Sequence, residues 1–226
     1  MKALRLILAS QSPARLNLLR NAGFAPEAIV SGVDEDAYDA PDPAALALVL
    51  AQAKARAIAR RVGSGALVIG CDSVLDLDGK ALGKPTDAED AIGRWKAMRG
   101  REGVLVTGHC LIDTRGDGAK GTGKHSDEDS DKDSGSDTYH REIAYTAATS
   151  VRFADISDAE IEAYVATGEP LYVAGAFTLD GIGGSFVESI DGDPSNVIGL
   201  SLPLLRRMLA EIGIATHELW ANPSRD

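Results

Sequence analysis

Apolar and polar positions follow two periods along the chain, and the switches between them mark out strands and helices in turn. Leu4, Leu6, Ile7, Leu8 and Ala9 read as a strand. Ser10-Gln11-Ser12-Pro13 then starts a helix, with Ser12 as N-cap and Pro13 in the first turn. That helix runs to about Ala22 with Leu16, Leu18 and Leu19 as its buried stripe, and Gly23 closes it. A short strand at 27–31 leads to the acidic loop Asp34-Glu35-Asp36, and Pro43 opens an alanine-rich helix to about Arg61. Its expected stripe is Leu46, Val49, Leu50, Ala53 and Ala57, leaving Lys54 at the edge of the buried face.

The central stretch is the most informative. Leu67-Val68-Ile69-Gly70-Cys71 carries Asp72 into an otherwise apolar strand, where an ionised carboxylate is costly unless paired or metal-bound. Val74, Leu75 and Leu77 continue the strand to Asp78-Gly79, a two-residue hairpin turn. The return arm ends in Gly83-Lys84-Pro85, which would bring Lys84 back beside Asp72.

Beyond the hairpin, Thr86-Asp87 caps a helix with Ala91, Ile92, Trp95 and Met98 inward and Gly100 at its end, and Val104 to Ile112 is a strand. The run from Tyr139 to Phe153 is a strand long enough to require a bend or bulge. Ser157 caps a helix from Asp158 to Ala166, ended by Gly168. From Glu169-Pro170 to Gly184 the chain is irregular, and Gly175, Gly181, Gly183 and Gly184 leave the backbone bare, either for a ligand or for tight turns. Phe186 to Glu188 is a short strand. Asn196 to Ala210 reads as a helix with Pro203 inside it or at its true start, and a last strand is expected at 214–219. Alternating strands and helices predict an α/β fold with helices on the faces of a sheet.

Composition narrows the function classes. A chain of 226 residues, 44% hydrophobic, can bury a full core. Its formal net charge of -11 gives no support to binding a nucleic-acid backbone, which needs Lys/Arg clusters absent from this sequence, while free nucleotides remain accessible to a few local cations and a metal. Cys71 and Cys110 fall in strands and read as buried free thiols in a reducing cytoplasm. The N-terminal apolar run is interrupted by Arg5 and too short for a signal segment or a membrane span.

From about 115 to 138 the composition changes to Gly, Ser, Asp and Lys, which predicts a disordered acidic insertion. It holds three decoys. Gly116-x-Gly118-x-x-Gly121 opens no helix, His125 stands where a P-loop needs Ser or Thr, and Lys132 replaces the turn glycine of a calcium loop.

Arg15 in the first turn of a helix opposes the helix dipole, which an anion held at that helix start would justify; a solvated surface residue is the alternative. The loop at Asp34-Glu35-Asp36 is either a solvated cluster or a carboxylate ligand for a hard divalent cation.

Taken together, Leu8-Ala9-Ser10-x-Ser12-Pro13-x-Arg15, Asp34-Glu35, Lys54-Ala55, Asp72-Ser73-Val74, Gly83-Lys84-Pro85, Val106-Thr107-Gly108, Glu169-Pro170, Ala174-Gly175-Ala176-Phe177 and Asn196-Val197-x-Gly199-Leu200 resemble the Maf family of nucleoside triphosphate pyrophosphatases. The resemblance covers nearly the whole chain outside the insertion. It implies one domain over 1–226, with a mixed twisted sheet in two lobes and a central substrate cleft.

It implies hydrolysis of a nucleoside triphosphate to monophosphate and diphosphate with a divalent metal, magnesium or manganese. In that reading Asp72 is the proton acceptor, Ser10, Arg15, Glu35, Lys54 and Lys84 contact phosphates or metal, and Glu35 and Asp72 are the metal ligands. Whether Asp72 is base or metal ligand stays open. A homodimer is also implied.

Base preference would lie at Ala14, Ser73 and Asp180. The branch acting on thymidine and uridine triphosphates has arginine where Ala14 stands and glutamine where Asp180 stands. The branch acting on 7-methyl-GTP has glutamate near the latter place. The expected preference is therefore broad or unassigned, and the alternative function is a non-catalytic nucleotide-binding regulator of cell division.

Overall fold

The computed structural model describes residues 4–116 and 141–221, so the expected insertion lies almost wholly outside the described residues. Among these, seven strands form one mixed sheet. They are β1 (Arg5–Leu8), β2 (Pro26–Ala28), β3 (Ala66–Leu77), β4 (Lys80–Leu82), β5 (Glu102–Asp113), β6 (Arg141–Phe153) and β7 (Val187–Asp191). The order is β2-β1-β3-β5-β6-β7, with β4 paired to β3. β1 is parallel to β2 and β3, and the other pairings are antiparallel.

The helices are α1 (Pro13–Asn21), α2 (Pro43–Val62), α3 (Ala88–Met98), α4 (Asp158–Ala166), α5 (Pro194–Ile198) and α6 (Leu202–Glu211). Side-chain caps start the first four: Ser12, Asp42, Asp87 and Ser157 each accept the backbone N–H three residues on.

The long strands β3, β5 and β6 carry separate cores at their two ends, which gives the two lobes physical content. At one end, Leu67, Ile69, Cys71, Leu111 and Ile143 pack on Leu19 of α1 and the Leu204–Leu209 face of α6. On the opposite side of that end, Val68, Cys110 and Ile112 pack on Ala51, Ala55 and Ile58 of α2. At the far end, Leu75, Leu105, Val151 and Phe153 meet Trp95 of α3 and Tyr164 of α4.

The buried face of α2 differs from the expected stripe. Of the five residues expected, Leu50 alone is buried; the seat is made by Ala47, Ala51, Ala55, Ile58 and Ala59, with Lys54 among them. The reason lies in the sheet. Gly70 and Gly108 bring its backbone so close that a Cβ on either would collide with the Ala51 or Ala47 carbonyl, so small residues face inward.

Three other expectations are corrected. The irregularity expected in the long strand is found at its end and not in its middle: β6 keeps its register with β5 from Arg141 to Arg152, and the shift lies towards β7, between Arg152 and Phe153, while Tyr139 and His140 lie outside the described residues. The helix expected from Asn196 is two, α5 and α6, broken at Gly199 (φ +122), with Ser201 as N-cap and Pro203 in the first turn of α6. The expected strand at 214–219 is instead a 3-10 turn, Thr216–Leu219, which buries Ile214 and Leu219 without strand pairing.

Candidate functional site

β5 pairs with β3 continuously from Leu67 to Asp76, so β1 and β4 share the opposite edge of β3. β1 pairs there with Ala66 to Ile69, and β4 with Leu75 to Leu77. Residues 70–74 of that edge therefore face a gap in the sheet, and Asp72 sits in the middle of it.

Successive side chains of β3 point to opposite faces. Asp72 lies on the α2 face with Ala66, Val68 and Val74, and Ser73 on the face that carries α1. Asp72 is 7% exposed, and its Oδ1 takes Lys54 Nζ at 2.5 Å. The same ammonium meets Glu35 Oε1 at 2.7 Å, so one cation joins two carboxylates. Lys54 is itself 7% exposed, which makes it part of the buried seat of α2 and not its edge. Oδ2 of Asp72 has no protein hydrogen bond among the described residues.

Burial pushes the Asp72 carboxyl above the usual carboxylate range, against the opposing charges of Lys54 and Arg15 and the Lys54 hydrogen bond. At Glu35, which is exposed, partial burial of the carboxyl acts the same way but is outweighed: the Lys54 bond and the charges of Lys54, Lys84 and Arg15 hold its carboxyl below that range. The two acids are thus driven in opposite directions, and the less solvated one is the stronger base.

Arg15 is a held group. Its Nε donates to the Gly199 carbonyl at 2.7 Å, Nη2 to Ser73 Oγ at 2.9 Å and Nη1 to Ser10 Oγ at 3.4 Å. Ser10 also accepts the Ser12 N–H, which ties the loop after β1 to the helix start. Lys84 is exposed on the arm after β4, and Gly83 beside it is fixed by Arg94 and by the Gly175 N–H. The hairpin forms as expected but does not pair Lys84 with Asp72: the partner is Lys54 from α2, and the charge of Lys84 is felt at Glu35.

Among the proposed specificity positions, Ala14 is half-buried in α1, Ser73 is engaged with Arg15, and Asp180 is exposed with no bond to the site among the described residues. The Gly-rich segment takes its tight-turn reading. A Cβ at Gly175 would strike Leu75, and one at Gly181 would strike the Glu169 carboxylate. Glu169 accepts from Thr178, Tyr164 and the Ile182 and Gly183 N–H groups, so the bare backbone is covered by the protein itself.

Sequence reasoning quoted Thr107, Gly108 and Gly199 within the segments of the resemblance and Gly70 in the central strand, but gave none of them a role in building the site. A buried threonine beside a glycine inside an apolar strand was the available signal.

The arrangement can hold an anion between Arg15, Lys54 and Lys84 and offer a base of raised affinity for protons. Glu35 and Asp72 already converge on one cationic centre, and their oxygens are the donors a hard divalent cation takes; among the described residues no cluster of three or more acidic, His or Cys groups adds to them.

The family model for Maf-like protein matches residues 5–212. A nucleoside triphosphate pyrophosphatase of Streptomyces coelicolor is 60% identical over 223 residues, covering 98% of this chain and 97% of its own. One from Streptomyces avermitilis is 58% identical over 217 residues, covering 96% and 94%. Among solved structures, a nucleoside-triphosphatase (dITP/XTP pyrophosphatase) from Mycobacterium abscessus overlays 68% of this chain and 76% of its own at 15% identity and a TM-score of 0.36, too loosely to support any step below.

Proposed function

The chain belongs to the Maf-like protein family, and from that premise we propose that it hydrolyses nucleoside triphosphates to the monophosphate and diphosphate in the gap along β3. The observation that carries this is the Lys54 ammonium bridging Asp72 and Glu35 at an open sheet edge, with Arg15 and Lys84 in the same field.

Water attacks the α-phosphorus, its proton passes to the free Oδ2 of Asp72, and the bond to the oxygen bridging the α and β phosphates breaks to release diphosphate. Arg15, Lys54 and Lys84 neutralise the triphosphate oxygens, and Ser10 keeps the helix start in place for them. Glu35 and Asp72 would hold a divalent cation, magnesium or manganese, which supplies further charge neutralisation when bound. Base preference is broad, with exposed Asp180 free to accept N–H donors of a purine edge.

The reading extends to location and partners. No helix among the described residues is long and apolar enough to cross a membrane. The two free buried thiols suit a reducing cytoplasm. The acidic balance argues against a nucleic-acid partner, and a homodimer is part of the proposal on the family resemblance alone.

Incubation with a mixed nucleotide pool and analysis of products tests the reaction and the base preference together. Monophosphates and diphosphate are expected from several bases, and Asp72→Asn should lower turnover by roughly 10²–10⁴ with the fold retained. Selective turnover of dTTP and UTP would defeat the broad preference. Nucleotide-dependent thermal stabilisation without diphosphate release would favour the regulator instead.

A further inference from the structure

Arg15 carries its charge towards the gap, yet the groups that fix it lie behind it, on the α1 face of the sheet. Ser73 Oγ accepts from Arg15 Nη2 at 2.9 Å and lies 2.9 Å from Thr107 Oγ1, its neighbour across the β3–β5 ladder. Thr107 is fully buried, and its hydroxyl donates to the Asn196 carbonyl at 3.2 Å.

A carbonyl can only accept, so the one hydroxyl proton of Thr107 is committed to Asn196. Ser73 must then donate to Thr107, and its lone pair is left for the guanidinium. The proton order is fixed from end to end: Arg15 to Ser73, Ser73 to Thr107, Thr107 to Asn196. The far end is anchored too, because Asn196 Nδ2 donates to the Leu105 carbonyl and to Thr149 Oγ1, each at 3.1 Å. The neighbouring Gly199 carbonyl holds Arg15 Nε, so α5 grips both ends of the chain.

We propose that Thr107 is a positioning residue for Arg15, acting through the hydroxyl of Ser73. Ser73 has its proton committed to Thr107 and one of its two lone pairs to Arg15, so its hydroxyl links the buried Thr107 to the guanidinium. This inference rests on the reading of Arg15 as a phosphate-holding group.

A double-mutant cycle on kcat/KM tests it. Thr107→Val should lower kcat/KM by up to about tenfold, the upper end for the loss of one neutral hydrogen bond, here the one that orients Ser73 towards Arg15, through KM with kcat within about twofold. Thr107→Ser, which keeps the hydroxyl, should restore it. In an Arg15→Ala background Thr107→Val should cost less than about twofold, because nothing remains to position. Ser73→Ala cuts the same link from the other side and gives the same cycle should Thr107→Val fail to fold. An equal loss in both backgrounds, or a loss that the serine variant does not recover, overturns the proposal. If Arg15→Ala is impaired while Thr107→Val and Ser73→Ala are both silent, the proposal fails alone. Wild-type kcat/KM in Arg15→Ala overturns the phosphate-holding reading beneath it as well.

Discussion

Asp72 can occupy a strand interior because an ammonium reaches it from α2, and the same ammonium takes up the charge of Glu35. Removing Lys54 strands a carboxylate that is 7% exposed, which costs far more than losing an exposed ion pair. Lys54→Met is therefore expected to destabilise the protein by about 3 kcal/mol in urea unfolding, and Lys54→Met with Asp72→Asn to recover most of it. A double variant no more stable than Lys54→Met would mean that the cost is lost packing and not an orphaned charge. Lys54 gained notice only through the family resemblance, while the sequence marked Asp72 as unusual. It paired Asp72 with Lys84, because the hairpin was the only proximity that local spacing could supply, whereas the contact with Lys54 exists only after α2 has docked on the sheet.

The docking of α2 shows why element existence was legible and element orientation was not. The Asp78-Gly79 turn, with φ of +56 and +81, and the caps at Ser12, Asp87 and Ser157 are local devices, readable from a few neighbouring residues. The face of α2 is set by a partner far along the chain. Size and periodicity selected Leu46 and Val49, but the glycines at 70 and 108 admit only a run of alanines, and their importance emerges once β3 and β5 lie side by side. The same distance problem hid the role of Thr107, whose partners sit on β3 and α5. Because the helix bears Lys54, its seat also sets the geometry of the proposed site. Gly70→Ala should push α2 away from the sheet, destabilise by about 2 kcal/mol as overpacking does, and reduce kcat beyond what the stability loss explains at a temperature where the variant is folded. Unchanged kcat in a folded variant would separate the seat from the site.

For the molecule as a whole, the long strands connect parts that act on different problems. Asp113 ends β5 and pairs in register with Arg141, the first residue of β6, while Asp72 pairs with Gly108. The 117–140 segment is thus rooted about 17 Å along the strand from Asp72, taking ~3.4 Å per residue. Replacing it with a short hairpin turn should leave kcat/KM within about twofold, and a loss beyond tenfold would bring the segment into the site. His109, on the same strand, links the sheet to α6. Its Nε2 accepts the Ser201 N–H at 2.8 Å, so Nδ1 carries the proton and donates to the Thr107 carbonyl at 3.0 Å. Burial pushes its pKa down to about 4, aided by the charge of Arg15 and opposed by the Thr107 bond and Asp193. The unfolded chain takes up this proton near pH 6.5 and the folded one does not until about pH 4, so the contribution of His109 is complete above the first value and is lost as pH falls to the second. The interval is worth roughly 3 kcal/mol. Chemical denaturation from pH 7.5 to 4 should therefore show wild type losing about that much more stability than His109→Gln, whose amide keeps a donor and an acceptor but no titration. Parallel pH profiles for the two proteins would mean that α6 is held to the sheet without any help from the neutral imidazole.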